Sequence, residues 1–360
     1  MSRWIAALLL VFTFAPQISG GQTDLREHHL HYGCEIYEVK VDSKTGKRTL
    51  PKALRKFPGE LCLFQADGSV VMTFRHRVAK FDEKMKELWS YPTRAHHQLN
   101  ASQNGSEILV IGSEIVDVGD KKAGKARSDV LLILGQDGKL KKRFSLFEGR
   151  KQFHQRAWRD AVARRFPMIW NVERFQDAKW EITHVNTFYE IPENPLGKAS
   201  PKGFSAFQAG GYIVNDISLM RTFVLDRDLK KVLWQKAMRP EAWHMTHDTQ
   251  ILSNGNLLFY DNGTPERPFS QLVEHNLVSG IDHWIYPKTF DKAFYAKRWG
   301  GIQILKSGNI LFTDITKSPR IVEIDRQGIE LWSWSLPENT YLQQARIEDL
   351  SNFLARNQGI

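Results

Sequence analysis

The sequence predicts an all-β fold, a six-bladed β-propeller, from three observations. A strand–turn–strand unit recurs along the chain, with Asn-Gly, Asp-Gly or Ser-Gly at its turn. The units return about every 40–50 residues, the span of a four-stranded blade. Most close on a strand bearing tryptophan, at Trp89, Trp234, Trp284 and Trp332. Asn-Gly and Asp-Gly between apolar runs signal hairpins, because both central turn positions need positive φ. At 360 residues the chain exceeds the size at which one layered core keeps growing. A β-sandwich would leave the repeat unexplained.

Taken from the start, residues 1–20 read as a signal peptide. Arg3 supplies the positive start, Ile5 to Phe14 the apolar run, and Ser19-Gly20-Gly21 the small residues for cleavage. The run falls short of the roughly 20 apolar residues of a membrane span, though a retained N-terminal anchor is the alternative. The mature protein is therefore expected in the periplasm or outside the cell, with no stable span after cleavage. Cys34 and Cys62 are the only cysteines, and an even pair in an oxidising compartment reads as one disulfide. Two buried free thiols are the other reading.

The propeller is expected over residues 21–336. Its visible units begin at Leu61, His97, His184, His247 and Gly301, which makes five blades. The strand Glu35 to Val41 is expected to close the ring against the last blade, and a sixth blade to come from the N-terminal strand and the irregular middle. A helical insertion is expected within 150–180, where Phe153, Ala157, Trp158, Ala161 and Val162 have helical spacing ahead of Pro167. Residues 337–360 are expected to form a C-terminal helical tail, on the spacing of Tyr341, Leu342, Ala345, Ile347, Leu350 and Leu354.

The formal net charge is +10, but the basic residues are dispersed and do not interleave with aromatics as a nucleic-acid platform would. No nucleic-acid partner is expected; a small anionic or aromatic ligand is. No cofactor and no metal site are expected either, because the histidines come from different units without helical pairing.

The histidines open the first strands of the units: His96-His97, Thr183-His184-Val185-Asn186 and Thr246-His247-Asp248, with Gln303 at the matching place of the last unit. Innermost strands line a propeller's channel, so these residues are expected to converge at one mouth of it.

Trp243 to Gly263, read as WHMTHDTQILSNGNLLFYDNG, resembles the His-Asp…Asn-Gly-Asn…Asp-Asn-Gly signature of the bacterial arylsulfate sulfotransferases that need no nucleotide donor. Thr183-His-Val-Asn186 with Ser218-Leu-Met-Arg221 and Leu233-Trp234, and Trp299 to Leu311, are similar to two further segments, so the resemblance spans about residues 90–335. It implies a six-bladed propeller that passes a sulfuryl group from an aryl sulfate to a phenol through a channel histidine. Such transfer needs a neutral nucleophile, cationic donors for the sulfate oxygens and an acid or base for the phenolic oxygen. The resemblance makes His184, His247 and Asp248 the catalytic candidates. His96, His97, Asn186, Arg221, Arg267 and Gln303 become the substrate-binding ones. The sequence departs from the family at two places. Gln303 stands where the nucleophilic histidine is expected, and Ser270-Gln271 where the family has Ser-Arg. A non-catalytic propeller that binds a ligand through its channel histidines is the alternative reading.

Overall fold

The computed structural model describes residues 29–40, 48–49, 51–119, 124–167, 178, 180–198, 204–237, 246–263, 267–288, 294–296, 298–315, 318–338, 340 and 344–356. The signal-peptide segment lies outside them. Six sheets form the six blades of a β-propeller. Blade 1 comprises Cys62–Phe64, Val70–Phe74, Arg77–Phe81 and Glu87–Pro92, from the channel outward. Blade 2 comprises Leu99–Ala101, Glu107–Asp117, Lys125–Gly135 and Leu140–Ser145. Blade 3 comprises Val185–Glu190, Tyr212–Asp216, Arg221–Leu225 and Val232–Lys236. Blade 4 comprises Thr246–Ile251, Leu257–Asp261, Gln271–His275 and Asp282–Tyr286. Blade 5 comprises Ile302–Ile304, Ile310–Asp314, Arg320–Ile324 and Glu330–Ser335.

Blade 6 closes the ring differently from expectation. Its inner strand is Ala345–Glu348, which pairs with His29–Tyr32, followed outward by Glu35–Glu38 and Lys52–Lys56. The segment around Glu35 is thus the third strand of its own blade, not an addition to the last one, and among the described residues the irregular middle contributes no strand to it. Ala345 and Ile347 alternate with Arg346 and Glu348, a period of two that belongs to a strand. The helix of the C-terminal tail starts only at Ser351 and ends at Arg356.

The turns carry the expected chemistry: Gly68, Gly105, Gly138 and Gly255 all have φ between 70° and 86°. Gly138 also serves packing, because a Cβ there would lie 2.6 Å from the Trp89 ring. Trp89 donates its Nε1–H to the Gln136 carbonyl, and Trp284 donates to the Arg326 carbonyl, so outer-strand tryptophans pin one blade to the next blade's turn.

Each apolar cluster lies between neighbouring blades. Leu109, Leu131, Phe188 and Phe223 join blades 2 and 3; Ile213, Val224, Phe259 and Val273 join blades 3 and 4. Leu258, Tyr260, Phe312 and Val322 join 4 and 5, and Leu311, Ile321, Leu30 and Ile347 join 5 and 6. Ile36, Phe57, Phe64 and Met72 join 6 and 1, and Val71, Val78, Val110 and Leu132 join 1 and 2. The ring is continuous, and the burial of apolar area between faces is what holds it.

The expected disulfide is present, joining Cys34 of the closing blade to Cys62 of blade 1. The insertion helix runs over Gln155–Arg164 and buries Trp158 and Ala161 against blades 2 and 3. Among the described residues no helix is long and apolar enough to cross a membrane.

Candidate functional site

The long hairpin of blade 2 builds the site's foundation. Its strands Glu107–Asp117 and Lys125–Gly135 overhang the shorter inner strand, and the pair Trp180–Glu181 adds to the overhang, with Glu181 opposite Arg127. Alternation puts Arg127 and Asp129 on one face. Arg127 bridges Asp129 at 3.0 Å and Glu181 at 2.6 Å, all three being buried. Burial would raise the two carboxyls, but Arg127 together with the neighbouring His96 and His184 holds both below the usual carboxylate range.

Two imidazoles rest on these carboxylates. His96 Nε2 lies 2.9 Å from Asp129, and His184 Nδ1 bonds Glu181. His97 stands between them, its Nδ1 against His96 Nδ1 and its Nε2 3.1 Å from His184 Nε2. One chain of protons compatible with these contacts ends on Glu181. In it His96 donates Nε2–H to Asp129, although Arg127 Nη1 also points at that nitrogen from 3.1 Å, and accepts at Nδ1 from His97; His97 then accepts at Nε2 from His184, whose Nδ1–H goes to Glu181. On this assignment His184 is doubly protonated while His96 and His97 are neutral. The electrostatics agree. Burial alone would depress His184, but Glu181 beside it raises its pKa above the ordinary imidazole value. Burial depresses His96 and His97, helped by the neighbouring Arg127 and His184 charges.

His247 approaches from blade 4, its ring 6.0 Å from that of His97. Asn262 donates its amide to the Ala296 and Trp299 carbonyls, so its Oδ1 is left to accept from His247 Nδ1–H at 2.7 Å. His247 Nε2 is therefore the unprotonated nitrogen. Burial, with the nearby His184 charge, lowers its pKa to about 3. Beneath His184, Asp216 accepts the backbone N–H groups of His184 and Leu219; burial and Asp129 push it up to about 7.

His97, Gln98, Asn186, His247, Trp299, Gly300 and Gln344 line a narrow pocket with room for about one water molecule. Three non-glycine residues with positive φ occur at or beside it: His97 (60°), Asp248 (49°) and Trp299 (62°). Such conformations cost energy and concentrate at functional sites.

The predicted candidates divide. His96, His97, His184 and His247 do converge. Asn186 lines the pocket, donates to the Thr246 carbonyl at 2.8 Å, and keeps a buried Oδ1 with no hydrogen-bond partner among the described residues. Asp248 is a hub. One carboxylate oxygen accepts from Tyr189 (2.5 Å), Gln98 (3.0 Å) and Gln344 (3.3 Å), and the other accepts the Ile302 N–H, with Arg346 3.6 Å away. Arg221 opens the third strand of blade 3 opposite Asp216 and does not line the pocket. Arg267 pairs with Asp261 at 2.6 Å and lies over the Phe269 ring, within its own blade's loop. Gln271 reaches the Pro287 carbonyl at 3.4 Å.

Gln303 is not at the histidine position. It faces Leu311 across its hairpin as Gln250 faces Leu258, Asn100 faces Leu109 and Tyr189 faces Ile213. At three of these places a carboxamide clamps the next blade: Asn100 to the Phe188 carbonyl, Gln250 to that of Ile302, Gln303 to that of Ile347. Three residues upstream stand His97, Asn186, His247 and Gly300, four of the pocket's lining residues. The register equivalent of the histidines in blade 5 is thus Gly300. Its φ of 134° and a Tyr260 ring carbon 2.7 Å from any added Cβ exclude a side chain there. His184 reaches the cluster from two residues before Asn186.

The sequence reading missed Arg127, Asp129, Glu181, Asn262, Tyr189, Gln344 and Arg346. Arg127-Ser-Asp129 was a visible signal, a charged pair with strand spacing at the head of an apolar run. Of the fourth-blade motif, Trp243 to Met245 lie outside the described residues. Among the described residues, no group of three or more His, Cys, Asp or Glu side chains could hold a metal ion.

No family model and no curated protein matches the chain. Among solved structures it is similar to a protein of unknown function from Bacteroides caccae, at 13% identity and a TM-score of 0.49 over 88% of this chain and 97% of that one. That level of similarity names no activity.

Proposed function

We propose that this propeller acts on aryl sulfates in its channel, with His247 as the neutral nucleophile that accepts the sulfuryl group. The observation that carries the reading is the tautomer of His247: Asn262 takes its Nδ1–H, so Nε2 holds an unprotonated lone pair. In the first half-reaction Nε2 bonds to sulfur, the sulfur–aryl oxygen bond breaks, and the leaving phenolate takes the His184 Nε2 proton. In the second, a phenol oxygen attacks the same sulfur, the nitrogen–sulfur bond breaks, and the phenolic proton returns to His184 Nε2. His184, whose pKa Glu181 raises, would in its protonated form oppose the developing negative charge. The segment resemblance to the arylsulfate sulfotransferases supplies the substrate class.

The test is release of nitrophenol from p-nitrophenyl sulfate with a phenol acceptor, together with mass analysis of acid-quenched protein. Turnover that His247→Ala abolishes, with one SO3 group trapped on wild type alone, supports the reading. Absence of turnover by folded wild-type protein sinks it.

A second reading is favoured by the closed pocket and by Gln271, which turns to Pro287 where the related enzymes carry arginine. On that reading the channel binds an anionic aromatic ligand without converting it. Thermal stabilisation by phenyl sulfate that disappears in His184→Ala, with no turnover, would identify it.

A further inference from the structure

The hub around Asp248 divides the channel. Gln344 lines the histidine pocket on one side and, on the other, a second cavity at the junction of blades 6, 1 and 2. This second cavity has a volume of about 80 Å³ and opens to solvent. Leu61, Leu63, Phe64 and Leu99 give it apolar walls, while His31, Asn100, Arg346 and Glu348 give it polar ones.

One of its side chains lacks the partner that burial demands. His31 is 8% exposed, yet its Nε2 makes no hydrogen bond among the described residues. The nearest acceptor, Glu348 Oε2, is 3.6 Å away, beyond hydrogen-bond length. The Glu348 side chain is 46% exposed although its strand is the innermost of the closing blade, so its carboxylate borders open channel space. Burial would raise Glu348, but His31 and Arg346 nearby hold it below its ordinary value, which keeps it ionised. The Arg346 guanidinium is hydrogen-bonded to Tyr189 and the Ile302 carbonyl and lies 3.6 Å from the Asp248 carboxylate, which opposes its charge.

An ionised carboxylate, an imidazole nitrogen without a partner, side-chain amides and apolar walls together specify a ligand. We infer that this cavity binds a small organic amine. Its ammonium group lies between Glu348 Oε2 and His31 Nε2, and its hydrocarbon body lies against Leu63 and Leu99. With His31 in the tautomer that leaves Nε2 unprotonated, the two atoms are close enough for one nitrogen to donate to both. The site is separate from the histidine pocket in chemistry as well as in place: one favours negative charge, the other positive.

The experiment is calorimetric titration of the full chain with phenethylamine, butylamine and spermidine at neutral pH, with phenylacetate as the anion of matching shape. At least one amine is expected to bind saturably at one site per chain, and phenylacetate is not. Glu348→Gln is expected to weaken amine binding tenfold or more, while Glu348→Asp retains it in part; unchanged melting curves show that both fold. The inference is overturned if none of the three amines binds folded wild-type protein. Equal binding of phenylacetate, or amine binding indifferent to Glu348→Gln, overturns it as well.

Discussion

His97 and His184 meet through their Nε2 atoms at 3.1 Å, so one nitrogen must donate and the other accept. Glu181 decides which. It raises the His184 pKa against burial, which favours His184 as the donor and His97 as the acceptor. Nitrogen-detected NMR is expected to find His184 titrating above the ordinary imidazole value, and lower in Glu181→Gln than in wild type. A folded pKa above the unfolded one gives stability that is full below about 6.5 and lost as pH rises through the folded value. The stability advantage of wild type over Glu181→Gln should therefore shrink on going from pH 6 to pH 9.

Acid should act on the other imidazoles with the opposite sign. His247, at about 3, and the depressed His96 and His97 must stay neutral in the fold but charge in the unfolded chain. Their contribution is present above about 6.5 and lost as pH falls from there toward 3. For His247 alone the slope is about 1.4 kcal/mol per pH unit. Urea denaturation between pH 7 and 4 should show a steep loss that His247→Gln makes shallower. Asp216 opposes this trend, since a raised carboxyl contributes at low pH and loses that contribution as pH rises through about 7.

The blade register makes separate demands on Gln303 and Gly300. Gln303→Ala removes one clamp to Ile347 and is expected to cost about 1–2 kcal/mol, leaving the histidine titrations untouched. Gly300→Ala adds a Cβ against the Tyr260 ring in an unfavourable backbone region, and about 3 kcal/mol or more should be lost. Gln303→His should not restore a nucleophile, because that position faces the next blade. Denaturation midpoints and nitrophenol release check all three.

Reducing the Cys34–Cys62 disulfide, or replacing both cysteines with serine, should cost about 3 kcal/mol, given their sequence separation of 28. The loss should centre on the junction of blades 6 and 1. Hydrogen exchange would show it as faster exchange at Ile36 and Met72 than at Val214.

The propeller was legible in the sequence because its signals are local. A glycine turn between two apolar runs specifies a hairpin whatever surrounds it, and Gly105 and Gly255 behave as read. The closing blade was not legible, since His29–Tyr32 finds its partner at Ala345–Glu348 and no local pattern reports a pairing between opposite ends of the chain. The histidine convergence followed from the repeat, whereas its exact register did not. Bulges between Val185 and Thr187, and between His247 and Gln250, break the simple count of positions. The supporting charges were missed for a related reason. Arg127, Asp129 and Glu181 become one unit only where a parallel strand pairing brings Glu181 beside Arg127.

The closing strand also governs when the site can exist. Gln344 and Arg346 belong to the last segment of the ring, and both complete the hub at Asp248. Pairing such distant segments carries the largest loop-closure cost in the fold, so closure is expected to be the slow step of folding. An open arc of five blades could hold its sheets, but it would lack the floor of the histidine pocket. Competence at the site would then report that the circle has been completed, and a partly folded chain would stay silent.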